Sequence, residues 1–224
     1  MLPLLFDHPR FLLIDKPAGL SFHREGAQPG VLDLLRAQLD VDNLHAVHRL
    51  DAMTSGLLLF AKGSEAASEF GRLFATRQIG KYYLAISARA PKKKQGSVSG
   101  DMQKGRNGSW RLLPSKADPA YTQFFSAGLG DGRRLFLLRP LTGRTHQLRV
   151  ALKAMGSPIL GDARYGGEPA DRGYLHAYAL HFVLDGERHA FHCPPSQGEH
   201  WLTPAAQSVL AHYAMPEALA WPAR

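Results

Sequence analysis

Three stretches of the chain carry side chains that could act on a substrate. In His48-Arg49-Leu50-Asp51-Ala52-Met53-Thr54-Ser55-Gly56, a guanidinium and a carboxylate lie two residues apart, beside a turn that feeds the apolar run Leu57 to Ala61. A carboxylate at a strand edge can be a nucleophile, a general base or a cap for its own loop. The local pattern alone favours the cap. In Gly80-Lys81-Tyr82-Tyr83-Leu84-Ala85-Ile86, strand alternation sends Tyr82 and Tyr83 to opposite faces. One ring can pack in the core while the other faces a cleft, where an aromatic face can stack on a base; packing by both is the plain alternative. In Leu141-Thr142-Gly143-Arg144-Thr145-His146-Gln147-Leu148-Arg149-Val150, Arg144 precedes a helix and Arg149 lies inside it. A guanidinium buried there needs a carboxylate or a phosphate. An ordinary structural ion pair would satisfy it as well as a catalytic one.

The rest of the sequence removes other chemistries. No G-x-x-x-x-G-K-[ST] loop, G-x-G-x-x-G after a strand or G-x-S-x-G elbow is present. The single cysteine, Cys193, excludes an intramolecular disulfide and a cysteine-based zinc site. The histidine pairs His45/His48 and His189/His192 lack the spacing and acidic partners of a zinc site, so no metal is expected. Lys and Arg number 27 against 19 Asp and Glu, a formal charge of +8. Such a balance favours an anionic partner, most often nucleic acid. No stretch approaches the roughly 20 apolar residues of a membrane span. The start, MLPLLFDHPRFLL, is a poor signal peptide because Asp7, His8, Pro9 and Arg10 interrupt it. A cytoplasmic protein is expected.

The 224 residues suit a single domain, 1–224, with no linker or internal repeat. Strands are predicted at 11–14, 57–61, 82–86, 121–126 and 135–139, and a hairpin at 178–191 across Asp185-Gly186. Helices are predicted at 31–39, 64–77, 145–155 and 204–213, the last opened by Thr203-Pro204. Residues 91–120, rich in Pro, Gly, Lys and Ser, read as an exposed hairpin or long loop, and 128–132 as a flexible glycine-rich turn. Strands and helices mix without strict alternation. The fold class is therefore α+β, with a mixed, largely antiparallel sheet and flanking helices.

Taken together, the segments resemble the RluA-type pseudouridine synthases of RNA modification. The family's H-R-L-D-x-x-T-S-G-L-L-L-F-A-K stretch is matched at 48–62, its K-x-Y-x-A segment by Lys81, Tyr83 and Ala85, and its G-R-T-H-Q-L-R-V helix at 143–150. Its K-P-A-G-L turn appears at 16–20 and its G-x-P-I-L-G-D-x-x-Y-G loop at 156–166. Ala151 stands where the family often has His. The stretch before Lys16 is too short for the S4-type RNA-binding domain of many relatives, so target recognition is expected from the catalytic domain itself, from its inserts or from RNA shape.

The resemblance implies an isomerase that converts a uridine in tRNA or ribosomal RNA to pseudouridine without cofactor or metal. Asp51 takes the place of the catalytic aspartate; attack on the sugar, attack on the base and a glycal route all stay open. Arg49 looks like the side chain that fills the stack vacated by the flipped nucleotide. Tyr83 resembles the aromatic that packs on the uracil, and Arg149 the arginine that pairs with the catalytic carboxylate. Arg144 and His146 of the third motif, with Lys92, Lys93 and Lys94, are the further candidates for RNA contact. No protein partner is implied, and a monomer is expected. An RNA-binding module with a decayed site has no reason to keep Asp51, Tyr83 and Arg149 together, and a carboxylate hydrolase lacks a second acid or a metal site.

Overall fold

The computed structural model describes residues 1–223. In chain order the elements are β1 (Leu4–Asp7), β2 (Phe11–Lys16), α1 (Val31–Leu39), β3 (Leu44–Ala46), β4 (Ser55–Lys62), α2 (Ser64–Ala75) and β5 (Gly80–Ser87). Then follow β6 (Gln95–Gly100), β7 (Met102–Lys104), β8 (Trp110–Leu112), β9 (Ala120–Gly130), β10 (Arg133–Pro140) and α3 (Gln147–Ala154). The last are β11 (Leu175–Leu184), β12 (Glu187–His192) and α4 (Pro204–His212). The fold is α+β and its strand pairs are mostly antiparallel, as the sequence predicts. Among the described residues, no helix is long and apolar enough to cross a membrane. The chain forms two compact units, Met1–Gly80 with His176–Pro194, and Lys81–Leu175 with the residues from Pro195 onward.

In the first unit, β4 is the central strand, and its continuous apolar run reflects burial along nearly its whole length. β2 pairs along one edge; β3 and the start of β11 share the other. The β4–β11 pairing is parallel. α2 buries Ala66, Phe70 and Leu73 on one stripe. Phe70 meets Phe11 and Phe182 edge-on, at ring separations of 5.7 and 5.3 Å, making an aromatic core. The predicted hairpin forms across Asp185-Gly186, both with positive φ, as a two-residue turn matched to strand twist requires.

In the second unit, β5, β10, β9 and β6 pair antiparallel in that order. The interior is built on Leu84, Ile86, Phe136 and Leu138, and α4 starts where Thr203 accepts the Ala206 N–H. The loop 157–174 is stitched to β5 through Ile86 N–H to the Tyr174 carbonyl and Leu160 N–H to the Ile86 carbonyl.

Four local expectations are corrected. Residues 4–7, read only as an interrupted apolar run, form β1 against β2, with the Phe6 ring 4.9 Å from Phe191. Residues 91–120 do hold a hairpin, β7 with β8, but they also supply β6, which joins the sheet along β9. The glycine-rich 128–130 continues β9, leaving only Asp131-Gly132 as the turn. The third helix begins at Gln147 because His146 adopts a left-handed conformation, φ 56°.

Gly56 sets the β4–β11 crossing. Its φ is +100°, and a Cβ there would fall on the Ala177 carbonyl. Gly56→Ala should lower unfolding free energy by about 2 kcal/mol or more; a urea midpoint equal to wild type would show that the crossing has room.

Candidate active site

Asp51 sits half-buried on the β3–β4 loop, and the sequence around it fixes the backbone closely. The Thr54 N–H donates to the Asp51 carbonyl at 3.0 Å, closing a tight turn. Gly19 N–H reaches the Ala52 carbonyl at 2.8 Å, tying the Lys16–Leu20 turn to this loop. The Lys16 ammonium is fully buried and donates to the carbonyls of Pro17, Leu20 and Ala52, at 2.8, 2.8 and 3.2 Å. A buried cation is tolerable when oxygens replace its hydration. On the N-terminal side, His48 Nε2 accepts the Leu59 N–H at 3.0 Å and its ring stacks on Phe74. Leu50 is buried, and Arg49 is exposed.

Beyond the turn, Ser55 and His176 form a buried pair at 2.7 Å. The other ring nitrogen, Nε2, lies 2.6 Å from the Cys193 carbonyl, which can only accept. Nε2 therefore carries the proton, and in the neutral ring Nδ1 accepts from the Ser55 hydroxyl. The pair is a clasp on the start of β4. Burial, with Asp15 nearby, pushes the Cys193 thiol up to about 12, which leaves it unreactive.

In the second unit, alternation on β5 separates the two tyrosines. Tyr82 is buried, with Trp221 5.7 Å away and the Arg139 guanidinium over its ring. Tyr83 is half-buried and shares the opposite face with Lys81. The Lys81 ammonium lies close to Gly143, and burial holds its pKa below the ordinary lysine value.

The third motif is held by Gln147. Its amide oxygen accepts from the Thr142 hydroxyl and the Arg144 N–H, and its amide nitrogen donates to the Tyr121 carbonyl and the Thr122 hydroxyl. Arg144 itself points outward and pairs with Asp118. His146 Nδ1 bonds the Tyr165 hydroxyl at 2.8 Å. Arg149 is buried and makes a two-pronged pair with Asp162, at 2.7 and 2.8 Å.

The structure thus brings His146 and Arg149 together around Tyr165 and leaves Arg144 apart from them. Lys92, Lys93 and Lys94 occupy an exposed turn between β5 and β6. Sequence reasoning missed Lys16 as a support of the Asp51 loop, His176 as the partner of Ser55, and Asp162 and Tyr165 as the partners of Arg149; the last two lay inside the 156–166 loop, whose pattern carried no hint of which arginine it served. Among the described residues, one group could hold a metal ion: Asp171, Glu199 and His200. Asp171 there already accepts from the Tyr174 hydroxyl and the Glu199 N–H, so the group is knit into its own turn.

RNA pseudouridylate synthase, as a family, matches residues 10–154. The chain is similar to an uncharacterized RNA pseudouridine synthase of Haemophilus influenzae, 47% identical over 94% of this chain and 95% of the relative. It is also similar to a ribosomal large subunit pseudouridine synthase C of Vibrio vulnificus, 30% identical over 80% of this chain and 61% of the relative. Among solved structures, human RNA pseudouridylate synthase domain containing 1 superposes with a TM-score of 0.75 at 26% identity, covering 93% of this chain and 87% of that one. The chain belongs to the RNA pseudouridylate synthase family, in its RluA-type branch. It is an RNA pseudouridine synthase, an isomerase.

Lys16→Met keeps the stem volume but leaves buried carbonyls without their common donor. Stability should fall by about 2–3 kcal/mol, read as a lower thermal midpoint, whereas an unchanged midpoint would show that Lys16 does not hold the Asp51 loop.

Proposed function

We propose that this isomerase acts as a monomer in the cytoplasm on a uridine of tRNA or ribosomal RNA, with Asp51 as the catalytic carboxylate. The bond between C1′ and N1 breaks, the uracil rotates, and C5 joins C1′; the C5 proton leaves and N1 gains one, so no cofactor or metal is consumed. A uracil in a helix hides its reacting atoms, and flipping the nucleotide out costs a few kcal/mol. In this reading Arg49 fills the vacated stack, Tyr83 packs on the flipped base, and Arg149 is the cationic partner of Asp51.

The observation that carries the reading is the holding of the Asp51 loop. Its backbone is tied through Thr54, Gly19 and Lys16 while the residue remains half-buried, on a motif that matches the family without a break. A merely structural cap would have no need of a second turn clamped onto its neighbour. The Vibrio relative's name places its own substrate in the large ribosomal subunit. Mapping pseudouridine across tRNA and ribosomal RNA, in cells lacking the protein and in complemented cells, names the target of this chain.

Asp51→Asn should abolish pseudouridine formation while leaving RNA affinity nearly unchanged, because the amide keeps the shape but is neither nucleophile nor base. Turnover by purified variant, free of wild-type enzyme, would remove Asp51 from the role. We assign phosphate contact to Lys92, Lys93 and Lys94. Their joint replacement by Ala should weaken RNA binding and flatten the slope of log affinity against log salt by up to about two units. A wild-type affinity and slope would make that turn a solvated loop only.

A further inference from the structure

Arg149 is held from two directions, and both holds come from one loop. Its side chain is 9% exposed, and that of Asp162 is 1% exposed. Nε donates to Oδ2 of Asp162 at 2.7 Å and Nη2 to Oδ1 at 2.8 Å, so the carboxylate grips the side edge of the guanidinium. The Tyr165 ring covers its face, with Cζ 4.9 Å from the ring centroid. Tyr165 is itself fixed: its hydroxyl accepts the Trp110 N–H at 2.9 Å and bonds His146 Nδ1 at 2.8 Å.

The loop that carries these residues has little freedom. The Asp162 N–H donates to the Ile159 carbonyl, and the Asp162 carbonyl accepts from the N–H groups of Tyr165 and Gly167. Gly161, with φ +79°, passes so close to the Arg172 carbonyl that a Cβ could not be placed there. Asp162 is therefore delivered to Arg149 by a stiff backbone rather than by a flexible side chain.

A guanidinium has five N–H donors in one plane. Asp162 engages Nε–H and one Nη2–H. The plane then fixes the direction of the remaining edge, made of both Nη1–H groups and the second Nη2–H. We propose that Asp162 is the positioning residue for Arg149, setting that edge for the catalytic work of Arg149; this rests on the reading of Arg149 above. The choice of a carboxylate has a reason. An amide offers one acceptor and one NH2, so in either orientation Asp162→Asn sets donor against donor on one of the two prongs.

The test is single-turnover pseudouridine formation on the mapped substrate. Asp162→Asn should lower the rate about 30- to 100-fold, the cost of a misplaced catalytic group, while RNA affinity stays within about threefold. In an Arg149→Met background the same change should cost nothing further in rate, since a residue acting through Arg149 has nothing left to position. It should also raise the thermal midpoint there, by removing a buried carboxylate left without its guanidinium. A second readout needs no activity: the 15N-labelled Arg149 Nε–H should exchange slowly with solvent in wild type and fast in Asp162→Asn. The proposal is overturned if Asp162→Asn keeps the wild-type rate, if the two costs multiply in the double variant, or if the Arg149 Nε–H exchanges like that of exposed Arg49. Full activity in Arg149→Met would instead overturn the role given to Arg149, and the exchange measurement would still decide whether Asp162 holds it.

Discussion

A guanidinium taken out of water keeps its charge, so the protein must bring an anion in with it. The Arg149–Asp162 pair is this chain's answer, and much of the second unit is arranged around it. α3 carries the cation, the loop after it carries the anion, and Gln147 holds the helix start by satisfying every polar atom of its own amide. Removing one member of such a pair typically costs about 3–5 kcal/mol, because the other is stranded. The first unit meets the same constraint with a different ligand set. Lys16 is buried and donates to the peptide carbonyls of Pro17, Leu20 and Ala52, which take the place of water around its ammonium.

These two solutions explain a division in what the sequence revealed. Elements whose signal is local could be read directly: the apolar run of β4, the α2 stripe of Ala66, Phe70 and Leu73, the Asp185-Gly186 turn and the Thr203-Pro204 helix start. So could the need of Arg149 for an acidic or phosphate partner, since that follows from burial alone. The choice of Asp162 could not be read, because it depends on how a loop folds back 13 residues later. Nor could β1, which has no strand signal of its own and forms because β2 offers it an open edge. The left-handed His146 escaped for a related reason. Its conformation is imposed by the bonds of its neighbour Gln147 and of its own ring, not by its residue type.

The basic stretch after β5 shows how topology redistributes charge that looks continuous in sequence. Lys92, Lys93 and Lys94 precede β6, whereas Lys104, Arg106 and Arg111 follow it on the β7–β8 hairpin. A six-residue strand is about 20 Å long. The two groups therefore sit at opposite ends of an edge strand. Each is anchored: the hairpin where Trp110 is bonded to Tyr165 and Arg164 reaches the Asn107 carbonyl, the lysine turn where the Lys94 carbonyl accepts from the N–H and hydroxyl of Ser126.

The residue whose carbonyl holds the His176 ring has a practical side. Cys193 is the chain's one cysteine, and it is shut inside the first unit with a thiol that stays protonated. Maleimides and other alkylating reagents need an accessible thiolate, so the native chain offers them no ready target. A cysteine introduced at an exposed site such as Asn107, on the turn of the basic hairpin, would then be the dominant point of attachment for a dye. The protein comes already prepared for fluorescence measurements of RNA arrival and departure, with no native thiol to remove first.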